Sequence, residues 1–268
     1  MLKPGDPAGA EKVSEDSPIM INLYKTIMEN IVTRYPEILA AVVGKVHLEP
    51  GLLIYPAVGL LIALGIYVIW QREKKRTAAL KNLAAELHLR FFPTGDASLV
   101  KALDKFHLFS RGYSKKIRNM LHGENQNTEL AIFDYRYTTG SGKNSTTAKQ
   151  TVIYFRSPTL DLPHFAVRPE GIFHKIGGAF GYQDIDFQAH PQFSQMYLLR
   201  GDDEPRIRQL FGEERIAFFE SHPKISVEGA DNQLIFYRHR KRSKPEGVRQ
   251  FMDEGFRVFT LFGGSTGA

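Results

Sequence analysis

The sequence predicts an α+β protein: an N-terminal transmembrane helix followed by an antiparallel β-sheet domain with helices on one face. Three observations predict it. Residues 51–70, GLLIYPAVGLLIALGIYVIW, run for twenty residues without a charge, the length a helix needs to cross ~30 Å of hydrocarbon. Between Asn119 and Val167, short apolar-alternating runs are separated by turn residues, as in antiparallel strands. Helical periodicity returns after Pro205 and again after Pro245. Strands and helices thus come in the order of an α+β fold, with helices packed on one face of an antiparallel sheet.

The chain has 268 residues, 43% of them apolar, enough for a substantial core. It contains no cysteine, which excludes disulfides, thiol nucleophiles and thiolate zinc sites. The net charge of +6 is unevenly placed: residues 1–50 hold five Lys/Arg and seven acids, and the excess of base lies after residue 70. A basic domain beside a membrane is read either as ordinary surface charge for solubility or as attraction to anionic headgroups, before nucleic acid.

Met1–Asp16 reads as a loose polar tail without the basic start and short apolar core of a cleavable signal peptide. Ser17-Pro18 is a helix start, and apolar stripes over Met20–Ile31 and Ile38–Val46, divided by Pro36, predict two amphipathic helices lying on the membrane or packing on a protein. The span follows at 51–70, with Pro56 in its early turns, where a lost hydrogen bond is least damaging. Gly59 and Ala63 form a small-xxx-small pair that permits helix pairing and hence an oligomer. Arg34 and Lys45 precede the span, whereas Arg72, Lys74, Lys75, Arg76, Lys81 and Arg90 follow it. That asymmetry predicts a single-pass protein of the cytoplasmic membrane, N-terminus outside and C-terminal domain in the cytoplasm.

Beyond Trp70 the pattern predicts a juxtamembrane helical stalk over 71–90, with Leu80, Leu83, Ala84 and Leu87 on one face. Phe91-Phe92-Pro93 ends it, and Asp96 is placed to cap a short helix carrying Leu99, Val100, Leu103 and Phe106. The α+β domain is expected over 91–262, with a frayed tail at 263–268. Strands are read at 119–124, 129–139 (Ala131, Phe133, Tyr135 and Tyr137 on one face), 150–157, 164–167, 193–200, 225–228 and 233–237. Helices are read after Gly201–Pro205, with Gly212 as a break, and from Pro245 onward.

No catalytic constellation is recognisable. Gly140-Ser141-Gly142-Lys143 lacks the spacing and the strand-to-helix setting of a phosphate loop and reads as a hairpin connection. Asp184, Asp186 and His190 have the chemistry of a divalent-metal cluster, but Ile185 and Phe187 alternate with the aspartates as on an ordinary half-buried strand. Arg168 and Glu170, with His164 and His174, could frame a polar pocket without specified acid–base chemistry. Zinc and nucleophile-elbow motifs are absent, so no metal and no cofactor are expected. The basic run Arg238, Arg240, Lys241, Arg242 and Lys244 follows a strand and is the candidate surface for anionic lipid or an acidic partner. Beyond Tyr237 it carries no interleaved aromatic residue, which argues against nucleic acid.

The ordered set ALKNLAAELHLRF, FHLFSRGYSKKIRNMLHGE, AIFDYRYTTGSGK, QTVIYF, LPHFAVRPEG and VEGADNQLIFYR resembles a family of uncharacterised bacterial single-span membrane proteins with a cytoplasmic α+β domain. The resemblance covers most of residues 78–240 and implies an anchor and a cytoplasmic domain, with no activity to carry over. The sequence therefore favours a membrane-anchored, non-enzymatic binding or scaffolding module partnered by the bilayer, anionic headgroups or another membrane protein. The competing reading is a tethered enzyme with a site at Arg168, Glu170, Asp184, Asp186 and His190.

Overall fold

The computed structural model of the chain describes residues 50–95, 99, 101, 103–172 and 184–264, with side chains from Val58 onward. The amphipathic helices expected before residue 50 and the cap expected at Asp96 lie outside these residues, as does His174. The chain divides into two compact units, Met1–Ile69 and Trp70–Ala268.

Helix α1, Pro50–Glu86, takes in the whole of the apolar stretch 51–70. Its side chains from Val58 to Trp70 are apolar and exposed, Leu60 by 70% and Ile69 by 61%. Among the described residues no helix is long and apolar enough to cross a membrane.

The second half of α1 is no free stalk: Leu80, Leu83 and Ala84 are buried in the core of the second unit. The helix also stops earlier than Phe91. His88 adopts the left-handed conformation (φ 56), and the Leu89 N–H bonds back to the Ala84 carbonyl at 2.8 Å, closing the C-terminus as a Schellman-type cap does. The freed chain forms an edge strand, β1 (Arg90–Thr94), that the sequence did not reveal.

A short helix, α2 (His107–Ser110), leads into β2 (Tyr113–Glu124), β3 (Glu129–Thr139), β4 (Thr146–Arg156) and β5 (Leu162–Pro169). Then come α3 (Pro191–Met196), β6 (Tyr197–Gly201), α4 (Glu204–Leu210), α5 (Glu213–Ser221), β7 (Ser226–Asp231), β8 (Gln233–Tyr237) and α6 (Val248–Leu261). The eight strands form one sheet in the order β1-β2-β3-β4-β8-β7-β5-β6, with every pairing antiparallel.

Strand alternation builds two cores. Leu130 and Ile132 of β3 and Ile153 and Phe155 of β4 face α1 and the C-terminal helices. Their neighbours Phe133, Tyr135, Tyr137, Val152 and Tyr154 face the opposite way, onto Leu103, Phe106 and Phe109. The longer helices share one face as expected, but the segment around α2 covers part of the other.

The expected strand 193–200 divides in two. Pro191 opens α3 at its first turn, where its missing N–H has no partner to lose. Phe193 then stacks on Tyr197, four residues on, with ring centroids 5.7 Å apart. Only Tyr197–Gly201 pairs with β5. The break expected at Gly212 is present between α4 and α5. The Gly140–Lys143 run is a hairpin connection with a 3-10 turn. There Gly140 (φ 81) is required, since a Cβ would sit 2.4 Å from the Asn144 carbonyl.

Candidate functional site

Two basic runs that look like surface charge in the sequence meet inside the second unit. Arg76 of α1 forks onto Asp134 of β3, donating from Nε and Nη2 at 2.8 and 2.6 Å, and reaches the Ser243 carbonyl through Nη1 at 2.6 Å. Arg242 lies 3.2 Å from the same carboxylate and clasps Glu73 of α1 at 2.5 and 2.7 Å. A bulge in β2 brings Asn119 (φ 51) into this group, where it donates to Asp134 at 3.0 Å and accepts from Thr77 at 2.9 Å. The hydrogen bond from Arg242 holds the Glu73 carboxyl below its usual range.

The members of the candidate headgroup run differ in their surroundings. Arg242 belongs to this interior network, and Arg238 pairs with Glu254 at 2.6 Å while its guanidinium lies 5.8 Å from the Phe236 and Phe251 rings. Arg240, Lys241 and Lys244 are the exposed members of the run.

Of the proposed enzyme pentad, one cleft, between α2 and strands β5, β6 and β7, is lined by Arg168 alone, and a second, between α5 and α6, by none. Arg168 is buried on β5 against Glu228, whereas Glu170 lies in the turn that follows the strand. Asp184 accepts from the Leu199 N–H at 3.0 Å along the outer side of β6, and burial pushes its carboxyl up to about 6. Asp186 points outward between Ile185 and the half-buried Phe187. His190 immediately precedes α3. Among the described residues no group of three potential ligands is placed to hold a metal ion.

Instead, a cleft of about 250 Å³ opens between α2 and strands β5, β6 and β7. Its polar wall carries His107, Arg168, Arg200 and Glu228, and its apolar wall carries Phe165 and Leu198. Glu228 is 1% exposed and accepts three hydrogen bonds. One oxygen accepts from Arg168 and from the Tyr237 hydroxyl at 2.8 Å, and the other from the Leu108 N–H at 3.2 Å. Burial pushes the Tyr237 hydroxyl well above its ordinary value. Burial alone would lower the Arg168 guanidinium, but Glu228, Tyr237 and Tyr137 together outweigh it and the net shift is upward.

The surroundings of His107 are strongly positive. Burial, reinforced by Arg168, Arg111 and Arg200, drives its imidazole down to about 2, so at neutral pH it is uncharged. Arg111 is itself lowered, by burial and then by Arg168. Sequence reasoning found Arg168 and His164 but missed Glu228, His107 and Arg200. The available signal was a glutamate inside SVEGAD, at a position whose alternation faces inward.

No protein-family model matches the chain, and no curated protein matches it in sequence. Among solved structures it is similar to the crystal structure of the mycobacterial trehalose monomycolate transport factor A, TtfA. The identity is 13% and the TM-score 0.50, with 70% of this chain and 92% of that chain covered. At that identity the likeness shows a shared α+β fold.

Proposed function

We propose that this chain is a membrane-anchored, non-enzymatic binding module of the cytoplasmic membrane. The observation that carries the reading is α1, a helix that takes in the uncharged twenty-residue stretch 51–70 and bears exposed apolar side chains from Val58 to Trp70. Exposed apolar surface on this scale calls for a hydrophobic covering, and the uncharged sequence stretch 51–70 has the number of residues that a bilayer span needs. The excess of base after Trp70 supports an N-outside, C-inside orientation, and the resemblance to single-span bacterial membrane proteins supports the same reading. Arg240, Lys241 and Lys244 then serve as the contact for anionic headgroups.

The binding role, in preference to an enzymatic one, is supported by the pentad's not meeting as a set in either of the two clefts described and by the three donors that hold Glu228. That a protein of this fold is a transport factor accords with a fold used as a scaffold for binding. The test is a pair of reporters fused after Ala268, one active only in the cytoplasm and one only outside it. The proposal requires signal from the first alone. Signal from the second would overturn the orientation.

A further inference from the structure

Three cations stand in register across the sheet. Lys116 of β2 lies directly opposite Arg136 of β3, and Arg136 directly opposite Lys149 of β4. Neighbouring strands are about 4.8 Å apart, so the three side chains start within about 10 Å of one another. Like charges placed opposite weaken a sheet. Lys116 and Lys149 are exposed and Arg136 is half-buried. None of the three enters an ion pair among the described residues. Asp134, two residues from Arg136 on the same face of β3, is taken by Arg76 and Arg242. Glu73, on which Lys149 also acts, is clasped by Arg242. In water the row works against the fold, whereas an anionic surface laid on it attracts all three charges at once.

The place of the row in the fold selects the surface. Ala84 of α1 shares a core with Leu130 of β3, and Arg76 of α1 holds Asp134 of β3. The direction from Leu130 through Asp134 to Arg136 is therefore the direction from Ala84 through Arg76 to Trp70, and Trp70 lies toward the same end of the sheet as the row. Trp70 is 54% exposed, and Lys74 sits 5.0 Å from its ring. A bulge in β2, with Ser114 at φ 52, turns Tyr113 to this face as well, opposite Thr138. Tyr113 is 50% exposed. Exposed Trp and Tyr beside basic residues are the composition of a membrane–water boundary. Trp70 directly follows the apolar stretch in the chain, which favours lipid over nucleic acid.

We propose that Lys116, Arg136 and Lys149, with Tyr113 at their margin, form a docking face for anionic phospholipid headgroups. The inference rests on the membrane reading above and names the lipid class and the residues that meet it.

The test uses the full chain in nanodiscs of phosphatidylcholine, with or without added phosphatidylglycerol. Co-elution with the neutral discs reads anchoring. Acylation of lysines by an amine-reactive ester, resolved by mass spectrometry, reads the docking face. At low salt, phosphatidylglycerol should slow acylation of Lys116 and Lys149 about fivefold or more, the scale of one basic residue's attraction to an anionic surface. High salt should erase the difference. Lys81, exposed on α1, lies about 16 Å along the helix from Trp70 and should change less than about twofold. When Lys116→Gln and Arg136→Gln are combined, the slowing at Lys149 should shrink to less than about twofold. The thermal midpoint of that variant should hold or rise, because repulsion across the row is relieved.

Equal acylation of Lys116 and Lys149 in both kinds of disc, with the chain co-eluting with both, would overturn the docking face and leave the anchor standing. A chain that misses the neutral discs, yet shows salt-sensitive protection in the anionic ones, would overturn the anchor while the face stands. Protection by a single-stranded oligonucleotide, with none from phosphatidylglycerol, would overturn the lipid assignment.

Discussion

Arg76 and Arg242 share a single carboxylate, that of Asp134, although they lie 166 residues apart in the chain. Arg76 follows the apolar stretch and Arg242 sits in the last basic run, so two segments that resemble free surface charge are joined through one strand residue. Asp134 is 8% exposed. Removing it leaves two guanidinium groups facing each other without their shared acceptor.

Asp134→Ala should therefore destabilise the 70–268 unit by about 3 kcal/mol, the scale for breaking a buried ion pair from one side. Lys241→Ala, at an exposed position, should stay within about 0.5 kcal/mol of the wild type. Urea denaturation followed by circular dichroism measures both. Equal stability of the two variants would show that the network contributes nothing.

The same division governs lipid binding. Replacing Arg240, Lys241 and Lys244 together by alanine should weaken cosedimentation of the 70–268 fragment with phosphatidylglycerol vesicles. The expected loss is about 1 kcal/mol per residue at low salt, shrinking as salt is raised. Arg242→Ala should lower stability first, because its charge lies against Glu73 and Asp134. Unchanged cosedimentation of the triple variant rules out the headgroup role.

Glu228→Gln should be among the most damaging single changes in the domain. It would leave Arg168, only 4% exposed, without its counter-charge, at a cost of about 3–5 kcal/mol. Tyr237→Phe removes one neutral donor to the same oxygen and should cost about 1–2 kcal/mol. Thermal midpoints of the two variants give the comparison. A tolerated Glu228→Gln would contradict the pairing.

Acid should weaken the fold, beginning near pH 6.5. His107 and His239 are held down to about 2 and about 4, His239 by burial and then by Arg240, Arg168 and Arg111. Below pH 6.5 the unfolded chain takes up protons that the folded chain refuses, so stability falls with pH. For His239 this decline is complete near pH 4. Glu73, lowered by Arg242, adds a loss in the same direction as the pH drops below 4.5. His239→Gln should flatten the decline between pH 6.5 and 4 in urea melts taken across that range. An unchanged slope would show that His239 protonates freely in the folded state.

Much of the sheet was legible in the sequence because its alternation is clean. Ala131, Phe133, Tyr135 and Tyr137 are buried on one face as their spacing predicts, and β8 occupies the 233–237 span read for it. Strand β1 was hidden because Phe91-Phe92-Pro93 resembles a helix stop, and the signal that ends α1 is a left-handed His88 where glycine is usual. Phe193 to Arg200 misled because its first residues carry both helical and strand periodicity, and Pro191 together with Phe193–Tyr197 stacking decides for helix. The cleft was not legible. Arg168 and Glu228 lie 60 residues apart, and only the β5–β7 register sets Ala166 beside Glu228. Within the Arg238–Lys244 run, composition does not show which arginines turn onto Glu254 and Glu73.

The central claim, that residues 51–70 anchor the chain, is tested most directly by alkaline carbonate extraction of membranes from cells expressing the full chain. The account predicts that the full chain stays in the membrane pellet, and that a variant with Leu61, Ala63 and Leu64 each replaced by arginine moves to the supernatant. Charges at the centre of a span are strongly unfavourable, at about 2.5–3.5 kcal/mol each on insertion scales. Release of the unaltered chain by carbonate would contradict the account.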